Sequence, residues 1–229
     1  MLILALDTST ERGSCALWRD GAVLERDCPA GRSHSETLLP LIRELLAEAG
    51  ASVGALDAIA FGAGPGAFTG LRIACGAAQG LAVAADKPLL PVTSLETMAL
   101  QAGDGKALAL LDARMGEVYA ARYQVDAGDC RLQGEIGVLT PAALPLPEDA
   151  GWRACGNAPA AYPALLARLT AGGIAVLPGI LPTAAAVVRL AAPRAARGEG
   201  IDAALAAPLY IRDKVAKTVA ERLGEGGRA

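Results

Sequence analysis

The sequence repeats one pattern of strand, aspartate, glycine turn and strand. The first copy is LILALDTSTERGSCALW at residues 2–18, and the second is ALALLDARMGEVYAARY at residues 107–123. In each copy an apolar run ends in an aspartate, Asp7 or Asp112, and an alternating strand follows a glycine. Such self-similarity indicates two related structural units. We therefore predict an α/β protein of two halves, each opened by a β-meander that helices follow.

The segment AGDG at residues 102–105 marks the predicted boundary between the halves. We assign residues 1–102 to the first unit and residues 103–207 to the second. Residues 208–219, which begin with PLYIR, are expected to pack back on the first unit. The charged, glycine-rich end at residues 220–229 is expected to be a flexible tail.

Apolar periodicity and turn residues predict the elements of each unit. In the first unit we expect strands at residues 2–6, 14–18, 22–28, 57–61 and 89–92, and helices at residues 33–49, 69–85 and 93–98. In the second unit we expect strands at residues 107–111, 117–123, 130–139, 152–156 and 174–177, and helices at residues 162–170 and 183–197. Ser33 and Glu36 have the spacing of a capping box, Thr69 is expected to cap the next helix, and Thr93 or Ser94 is expected to cap the helix after it.

Four glycines, Gly62, Gly64, Gly66 and Gly70, lie where a strand passes into a long helix of small residues. A glycine backbone can adopt positive φ and can approach a neighbour closely. A glycine-rich turn that opens a helix also suggests phosphate binding. However, the lysine of a P-loop is absent, and the glycine spacing differs from the dinucleotide fingerprint. Tight packing is therefore the favoured interpretation, with phosphate binding as the alternative.

A turn of hydroxyl residues follows the first strand and could cradle phosphate and magnesium. Its residues are Asp7, Thr8, Ser9 and Thr10. Hydroxyl side chains in a turn also have a plainer use, because they bond to nearby backbone amides. Nucleotide hydrolysis on this fold would require such a loop from each half. The second half has Arg114 and Met115 at the corresponding position, so we predict a degenerate nucleotide loop.

Composition limits the functional class of the chain. A net charge of -3 and a pI of about 5.3 lack the basic footprint of a protein that binds nucleic acid by itself, so any role near RNA requires a basic partner. No continuous apolar run reaches about 18 residues, so we expect no membrane span. The cysteines number five, an odd number, and none form a CxxC pair, which favours reduced thiols and a cytoplasmic location.

His34 is the only histidine of the chain and stands at the start of a predicted helix. One histidine without neighbouring carboxylates is a poor metal site, so we expect it to cap the helix or to contact a partner. The same helix has a wide apolar stripe that includes Leu39 and Leu46. The stripe either meets another protein chain or is enclosed within the monomer, and the sequence favours neither interpretation.

Five motifs together resemble one known family. They are ILALDTST at residues 3–10, RSHSE at residues 32–36, GPGAFTGLRIA at residues 64–74, LDARMGEVY at residues 111–119 and PLYIR at residues 208–212. With these motifs the chain resembles the bacterial TsaB (YeaZ) family over essentially its whole length. The resemblance implies two tandem ribonuclease-H-like subdomains of the actin-like ATPase (ASKHA) type, each a mixed sheet led by a β-meander and flanked by helices.

The resemblance also implies a role in making threonylcarbamoyladenosine at position 37 of tRNAs that read codons beginning with A. It implies a non-catalytic subunit that binds and activates the paralogue TsaD, which holds the metal and the threonylcarbamoyl-adenylate, and that works with the small ATPase TsaE. It implies contact with tRNA through the complex and no cofactor on this chain alone, whereas the assembled complex can hold ATP, ADP and metal. A homodimer is an option when the partner is absent.

We predict that the partner binds the helix at residues 33–49 and the helix at residues 69–85. The predicted interface residues are His34, Ser35, Glu36, Leu38, Leu39, Ile42, Leu46, Leu71, Cys75 and Ala78. Two alternatives stay open. One is an ATP-dependent small-molecule kinase or ATPase of the same fold, with Asp7 at the magnesium ion. The other is an M22-type glycopeptidase, which would need a metal site.

Overall fold

The computed structural model of the protein describes residues 1–211, which form two mixed β-sheets flanked by helices. The first sheet contains β1 (Leu2–Asp7), β2 (Ser14–Arg19), β3 (Ala22–Asp27), β4 (Ala58–Gly64) and β5 (Leu89–Thr93), and its segment of the chain contains helices α1 (His34–Glu48), α2 (Phe68–Ala85) and α3 (Ser94–Ala102). The second sheet contains β6 (Gly105–Arg114), β7 (Glu117–Asp126), β8 (Asp129–Leu139), β9 (Trp152–Cys155) and β10 (Ala175–Leu177). Its segment contains helices α4 (Ala158–Ala161), α5 (Pro163–Ala171) and α6 (Ala184–Ala196).

The two sheets have the same arrangement of strands. Their orders are β3-β2-β1-β4-β5 and β8-β7-β6-β9-β10, so the first strand of each unit is central. Each central strand pairs antiparallel with the next strand of its meander and parallel with the fourth strand of its unit. Every residue of β1 is buried, because both faces of the sheet are covered, and this explains its unbroken apolar run. The repeated order confirms the predicted fold class of two tandem ribonuclease-H-like units of the actin-like type.

Helices α3 and α6 each pack on the sheet of the other half. Helix α3 follows β5 of the first sheet, yet Leu95 and Met98 belong to the apolar core of the second sheet. Helix α6 follows the second sheet, yet Val187 and Leu190 pack against β1, β4 and β5. The predicted boundary at residues 102–105 therefore separates the two sheets but not these two helices, and the division into folding units stays a prediction.

The first turn of α6 is anchored on the first sheet. Its first amides donate hydrogen bonds to Ser14 Oγ at 2.8 Å, to Glu25 Oε1 at 2.9 Å and to Thr183 Oγ1 at 3.2 Å. A carboxylate at the positive end of a helix dipole is a favourable interaction. These bonds attach α6 to β2 and β3, although its sequence position belongs to the second half.

The capping box predicted at the start of α1 does not form. Ser33 is the N-cap residue, but its Oγ lies 2.7 Å from Ser35 Oγ and makes no bond to a helix amide. The amides of Glu36 and Thr37 bond to the Ser33 carbonyl instead. The sequence has the spacing of a capping box, but the exposed Ser33 hydroxyl bonds to the Ser35 hydroxyl instead.

The predicted cap of α2 is also wrong, whereas that of α3 is confirmed. Helix α2 begins at Phe68 with Ala67 as N-cap, because the Ala67 amide is held by the Ser9 carbonyl at 2.7 Å, and Thr69 lies inside the first turn. Thr93 caps α3 and accepts a hydrogen bond from the Glu96 amide at 3.3 Å. Helix α3 then continues beyond the predicted end, as far as Ala102.

By length and composition alone, α2 is a candidate membrane span. Its 18 residues have a mean hydropathy of 1.2, contrary to the expectation that no segment would meet this test. A single helix of this kind is weak evidence, because core helices of soluble proteins pass the same test. One face of α2 is buried in the apolar core over β1 and β4, which identifies it as a core helix of this α/β fold.

The end of the described chain returns to the first sheet. The Leu209 amide donates to the Ala63 carbonyl at 2.7 Å, and Arg72 Nε donates to the Tyr210 hydroxyl at 3.1 Å. The Phe68 and Tyr210 rings lie 5.8 Å apart. The rest of the predicted returning segment, residues 212–219, and the predicted tail, residues 220–229, lie outside the described residues.

Candidate functional site

The turn after β1 bonds most of its polar groups to the chain itself, although Asp7 Oδ2 is buried without a hydrogen-bond partner. Asp7 is completely buried, and its Oδ1 accepts hydrogen bonds from the Ser9 amide at 2.9 Å and the Ser9 hydroxyl at 2.8 Å. Thr8 Oγ1 donates to the Gly70 carbonyl at 2.6 Å, and Thr10 Oγ1 donates to the Arg12 carbonyl at 3.1 Å. The four residues of the predicted degenerate loop are therefore bonded to their own chain, and Asp7 is not presented to a cleft.

The predicted glycine-rich loop packs directly on this turn. A Cβ added at Gly62 would lie 2.0 Å from Asp7 Oδ2, one at Gly66 would lie 2.4 Å from the Ser9 carbonyl oxygen, and one at Gly70 would lie 1.8 Å from the Thr8 carbonyl oxygen. Gly64 has a φ of +109°, which side-chain-bearing residues rarely adopt. These contacts support the packing interpretation, because the space in which a phosphate would sit beside the glycines is occupied by the Asp7 turn.

The corresponding aspartate of the second unit, Asp112, is also bonded to its own chain. Asp112 Oδ1 accepts from the Arg114 amide at 2.9 Å and from the Tyr162 hydroxyl at 2.7 Å, and Asp112 Oδ2 lies 3.2 Å from Arg114 Nη1. The Asp112 amide donates to Asn157 Oδ1 at 2.8 Å. The carboxylate is thus neutralised by a side chain of its own turn, at the position where a nucleotide-binding protein would hold a phosphate or a metal.

A narrow cleft separates the two units. A cavity of about 190 Å³ is lined by aromatic and apolar side chains, which include Phe68, Leu71, Tyr119 and Tyr210. A neighbouring cavity of about 80 Å³ touches the hydroxyl turn, Asp112 and Arg114. Ligand pockets usually enclose about 300–1,000 Å³. Each cavity is below that range.

The structure places His34 against the chain itself. Its Nε2 lies 3.1 Å from the Thr10 carbonyl oxygen, and a Cβ on Gly13 would lie 2.7 Å from the imidazole ring. Within residues 1–211, no group of three or more His, Cys, Asp or Glu side chains is placed to hold a metal ion. The one histidine therefore fixes the start of α1 onto the turn after β1.

Six of the predicted interface residues are buried within the chain's own core, where they have a structural role. Their exposed fractions are 5% or less, and they are Leu38, Ile42, Leu46, Leu71, Cys75 and Ala78. Periodicity identified them as apolar but could not tell which neighbours cover them. Glutamate at Leu38 or Leu46 would therefore unfold the monomer and could not test an interface.

Of the four remaining predicted residues, His34 contacts the chain itself, and the other three lie at exposed positions of α1. Ser35, Glu36 and Leu39 are exposed, and Leu39 retains 54% of its accessible surface. On α2 the exposed positions include Gly76, Gly80 and Val83, and Val83 is 74% exposed. These three residues were not among the predicted interface residues. The available signal was a pair of glycines four positions apart within a helix.

A shallow groove runs between the two helices on their exposed side. It has a volume of about 350 Å³ and is lined mainly by apolar residues, including Leu39, Leu46, Val53 and Leu81, with Arg43 at its edge. Added Cβ atoms at Gly76 and Gly80 would meet no atom within 4 Å. The two glycines therefore leave the backbone of α2 accessible from outside. We call Leu39, Gly76, Gly80 and Val83 the outer face.

We predict that two glycine-to-alanine substitutions on α2 have opposite effects on stability. Gly70→Ala would force a Cβ against the Thr8 carbonyl oxygen, and we expect it to lower the free energy of unfolding by about 2 kcal/mol or more. Gly76→Ala places its Cβ in open space and should raise the free energy of unfolding by about 1 kcal/mol. Urea denaturation of the two variants measures both effects, and equal effects would contradict the packing described for Gly70.

The pKa of Asp7 gives a second prediction. Burial raises this pKa to about 6, although the hydrogen bonds from Ser9 and the charge of His34 lower it in part. The folded protein therefore holds the Asp7 proton more tightly than the unfolded chain, so stability is highest below the unfolded pKa and falls as the pH rises through about 6. Once Asp7 is ionised in the folded protein, its burial lowers the free energy of unfolding by about 3 kcal/mol relative to a pH below both pKa values.

We expect Asp7→Asn to become more stable relative to the wild type as the pH rises. The difference in free energy of unfolding should move in favour of the variant by about 2 kcal/mol between about pH 4 and about pH 8. Urea denaturation at both pH values measures it. The exposed Asp86 provides the matched control, because Asp86→Asn should show no such change. A difference for Asp7→Asn that does not vary with pH would show that Asp7 is not buried as a charge.

Comparison with known proteins agrees with this fold. The family model for TsaD, tRNA N6-adenosine threonylcarbamoyltransferase, matches residues 28–147. The tRNA threonylcarbamoyladenosine biosynthesis protein TsaB of Escherichia coli (strain K12) is 38% identical over 226 residues, which cover 94% of this chain and 96% of that protein. The protein of the same name from Haemophilus influenzae is 37% identical over 230 residues, which cover 94% of this chain and 95% of that protein.

A solved structure covers almost the same range. The structure of YeaZ from Pseudomonas aeruginosa has a TM-score of 0.81 and 41% sequence identity, and the match covers 91% of this chain and 99% of that chain. Full-length identity to two TsaB proteins and a shared fold with YeaZ are consistent with the motifs of the sequence. The chain belongs to the TsaB (YeaZ) family of tRNA threonylcarbamoyladenosine biosynthesis proteins.

Proposed function

We propose that this chain is the non-catalytic subunit that binds and activates a TsaD paralogue during transfer of the threonylcarbamoyl group to adenosine 37 of tRNA. The observation that carries the proposal is the contrast between two surfaces of the first unit. On the cleft side most polar groups of the Asp7 turn bond to their own chain, whereas α1 and α2 expose apolar side chains and bare helix backbone.

The structure of the cleft supports a non-catalytic role for this chain. Hydrolysis or transfer of a phosphoryl group depends on loops that position the phosphates and the metal. Here Asp7 is enclosed by Ser9 and Gly62, and Asp112 is paired with Arg114. Asp7 Oδ2 has no hydrogen-bond partner, but it is buried against the Gly62 backbone and is not exposed to the cleft. This arrangement argues against the kinase or ATPase alternative, and the lack of a grouped ligand set among residues 1–211 argues against a metal-dependent glycopeptidase.

The outer face supports a role in binding another protein. A glycine within a helix lowers stability by about 1 kcal/mol relative to alanine. Among residues 1–211, Gly76 and Gly80 have no contact that would require a glycine, because a Cβ at either position meets open space. Glycines on a helix surface allow the backbone of another helix to approach closely. Together with the exposed Leu39 and Val83, they favour a partner helix packed along α2.

Assembly accounts for the groups that this chain does not itself hold. In our proposal TsaD holds the metal and the threonylcarbamoyl-adenylate, TsaE supplies the ATPase, and tRNA contacts the complex as a whole. ATP or ADP binds only in the assembled complex. Without TsaD, the outer face would pair two copies of this chain in a homodimer, since a two-fold axis can bring one helix face against itself. We place the protein in the cytoplasm, in keeping with five free cysteines.

We predict that Gly80→Leu separates folding from assembly. The added side chain points into open space, so the monomer should keep its fold, and its melting temperature should be unchanged or slightly higher. The same side chain would prevent close approach of a partner helix. We therefore expect at least a tenfold weaker affinity for TsaD, measured by calorimetry, and a corresponding loss of threonylcarbamoyladenosine in tRNA, measured by mass spectrometry of nucleosides.

Ala167→Leu is the matched control, because Ala167 is exposed on α5 of the second unit, away from the outer face. It should leave both the affinity and the modification unchanged. Normal binding of a folded Gly80→Leu variant would show that the partner uses another surface. Modification of tRNA or hydrolysis of ATP by this chain alone would contradict the proposed non-catalytic role.

A further inference from the structure

One buried ion pair joins the two units at the point where their exchanged helices meet. Glu96 Oε1 accepts a hydrogen bond from Arg194 Nη2, and the two side chains are only 8% and 27% exposed. Every other ion pair described within residues 1–211 connects residues of a single unit or a single loop. We call Glu96 and Arg194 the hinge pair.

The hinge pair links elements that are fastened to opposite sheets. Glu96 lies in the first turn of α3, which packs on the second sheet, and Arg194 lies in the last turn of α6, which packs on the first. Each charge also has the favourable sign for its own helix end. A rotation of one sheet against the other that moves α3 away from α6 would therefore separate the two charges.

Further bonds converge on the same point. The hydroxyls of Thr93 in β5 and Tyr123 in β7 lie 3.3 Å apart, so the two sheets are joined directly beside Glu96. Cys130 Sγ in β8 lies 3.9 Å from the Glu96 carbonyl oxygen and donates a weak hydrogen bond to it. Five elements therefore meet at one small polar cluster inside an apolar surrounding.

The energetics indicate that the pair contributes orientation more than stability. Burial raises the pKa of Glu96, although the charge and hydrogen bond of Arg194 lower it in part. Loss of hydration therefore outweighs the attraction between the two side chains. Replacing such a buried pair with apolar residues of similar size is often neutral or stabilising, whereas removing one partner is costly. A buried pair can nevertheless specify one arrangement of the elements that carry it.

We propose that the hinge pair locks the two units at one angle and thereby keeps the cleft between them narrow. The cleft lies between the two units, and α3 and α6 cross from one unit to the other. With the lock in place, the cavities beside Asp112 and Phe68 stay at about 80 and 190 Å³. The chain then offers a partner one rigid surface.

The test is the double variant Glu96→Met and Arg194→Met, in which side chains of similar length keep the packing but carry no charge. Hydrogen exchange followed by mass spectrometry should show about tenfold faster exchange in both cleft walls, residues 7–12 and 111–117. Exchange in the central strand segments at residues 2–6 and 58–61 should not change. The melting temperature of the double variant should stay close to that of the wild type.

Two controls separate a lock from a general loss of stability. Arg194→Met alone leaves a buried carboxylate unpaired and should lower the melting temperature, which the second substitution restores without restoring protection of the cleft walls. The pair Arg26 and Glu48 connects β3 to α1 within one unit, so Arg26→Met with Glu48→Met should leave cleft exchange unchanged. Unchanged exchange in the cleft walls of the double variant, or faster exchange confined to α3 and α6, would overturn the proposal.

Discussion

The packing of the Asp7 turn against the glycine-rich segment is the contact on which the rest of the structure depends. Strands β1 and β4 are parallel neighbours, so their carboxyl ends meet at one edge of the sheet. In open α/β sheets this edge is the usual place for a ligand. Here the carbonyl groups of Thr8 and Ser9 occupy that place, because Gly66 and Gly70 have no side chain to keep them away. The same contact closes the core and fills the space that a nucleotide would need.

Much of this architecture is visible in the sequence, because the repeat is a local pattern. The apolar runs that end at Asp7 and Asp112 predict two central strands, and the structure confirms two sheets of the same order. Local pattern did not determine what covers an apolar side chain. Leu38 and Leu39 are adjacent leucines of one stripe, yet the first is 1% exposed and the second 54%. Only the packing of α1 on the first sheet distinguishes them.

The exchange of helices between the sheets could not be predicted for a related reason. A helical period shows that α3 and α6 each have one apolar face, but it does not name the sheet on which that face lies. Glu96 and Arg194 are separated by 98 residues and become neighbours only because each helix packs on the sheet of the other half. Neither residue belongs to a motif, so no local pattern singles them out. The junction of the units follows from the tertiary fold alone.

The two faces of helix α2 have different proposed roles, one in packing within the chain and one in binding a partner. Its inner glycine, Gly70, is required by the chain itself, because the Thr8 carbonyl lies where a side chain would begin. Its outer glycines, Gly76 and Gly80, weaken the helix and gain no contact within the chain. A partner that binds only the folded form raises its stability by mass action. The stability that the outer glycines remove from the isolated subunit would then be restored when a partner helix covers them, so that assembly and folding reinforce each other.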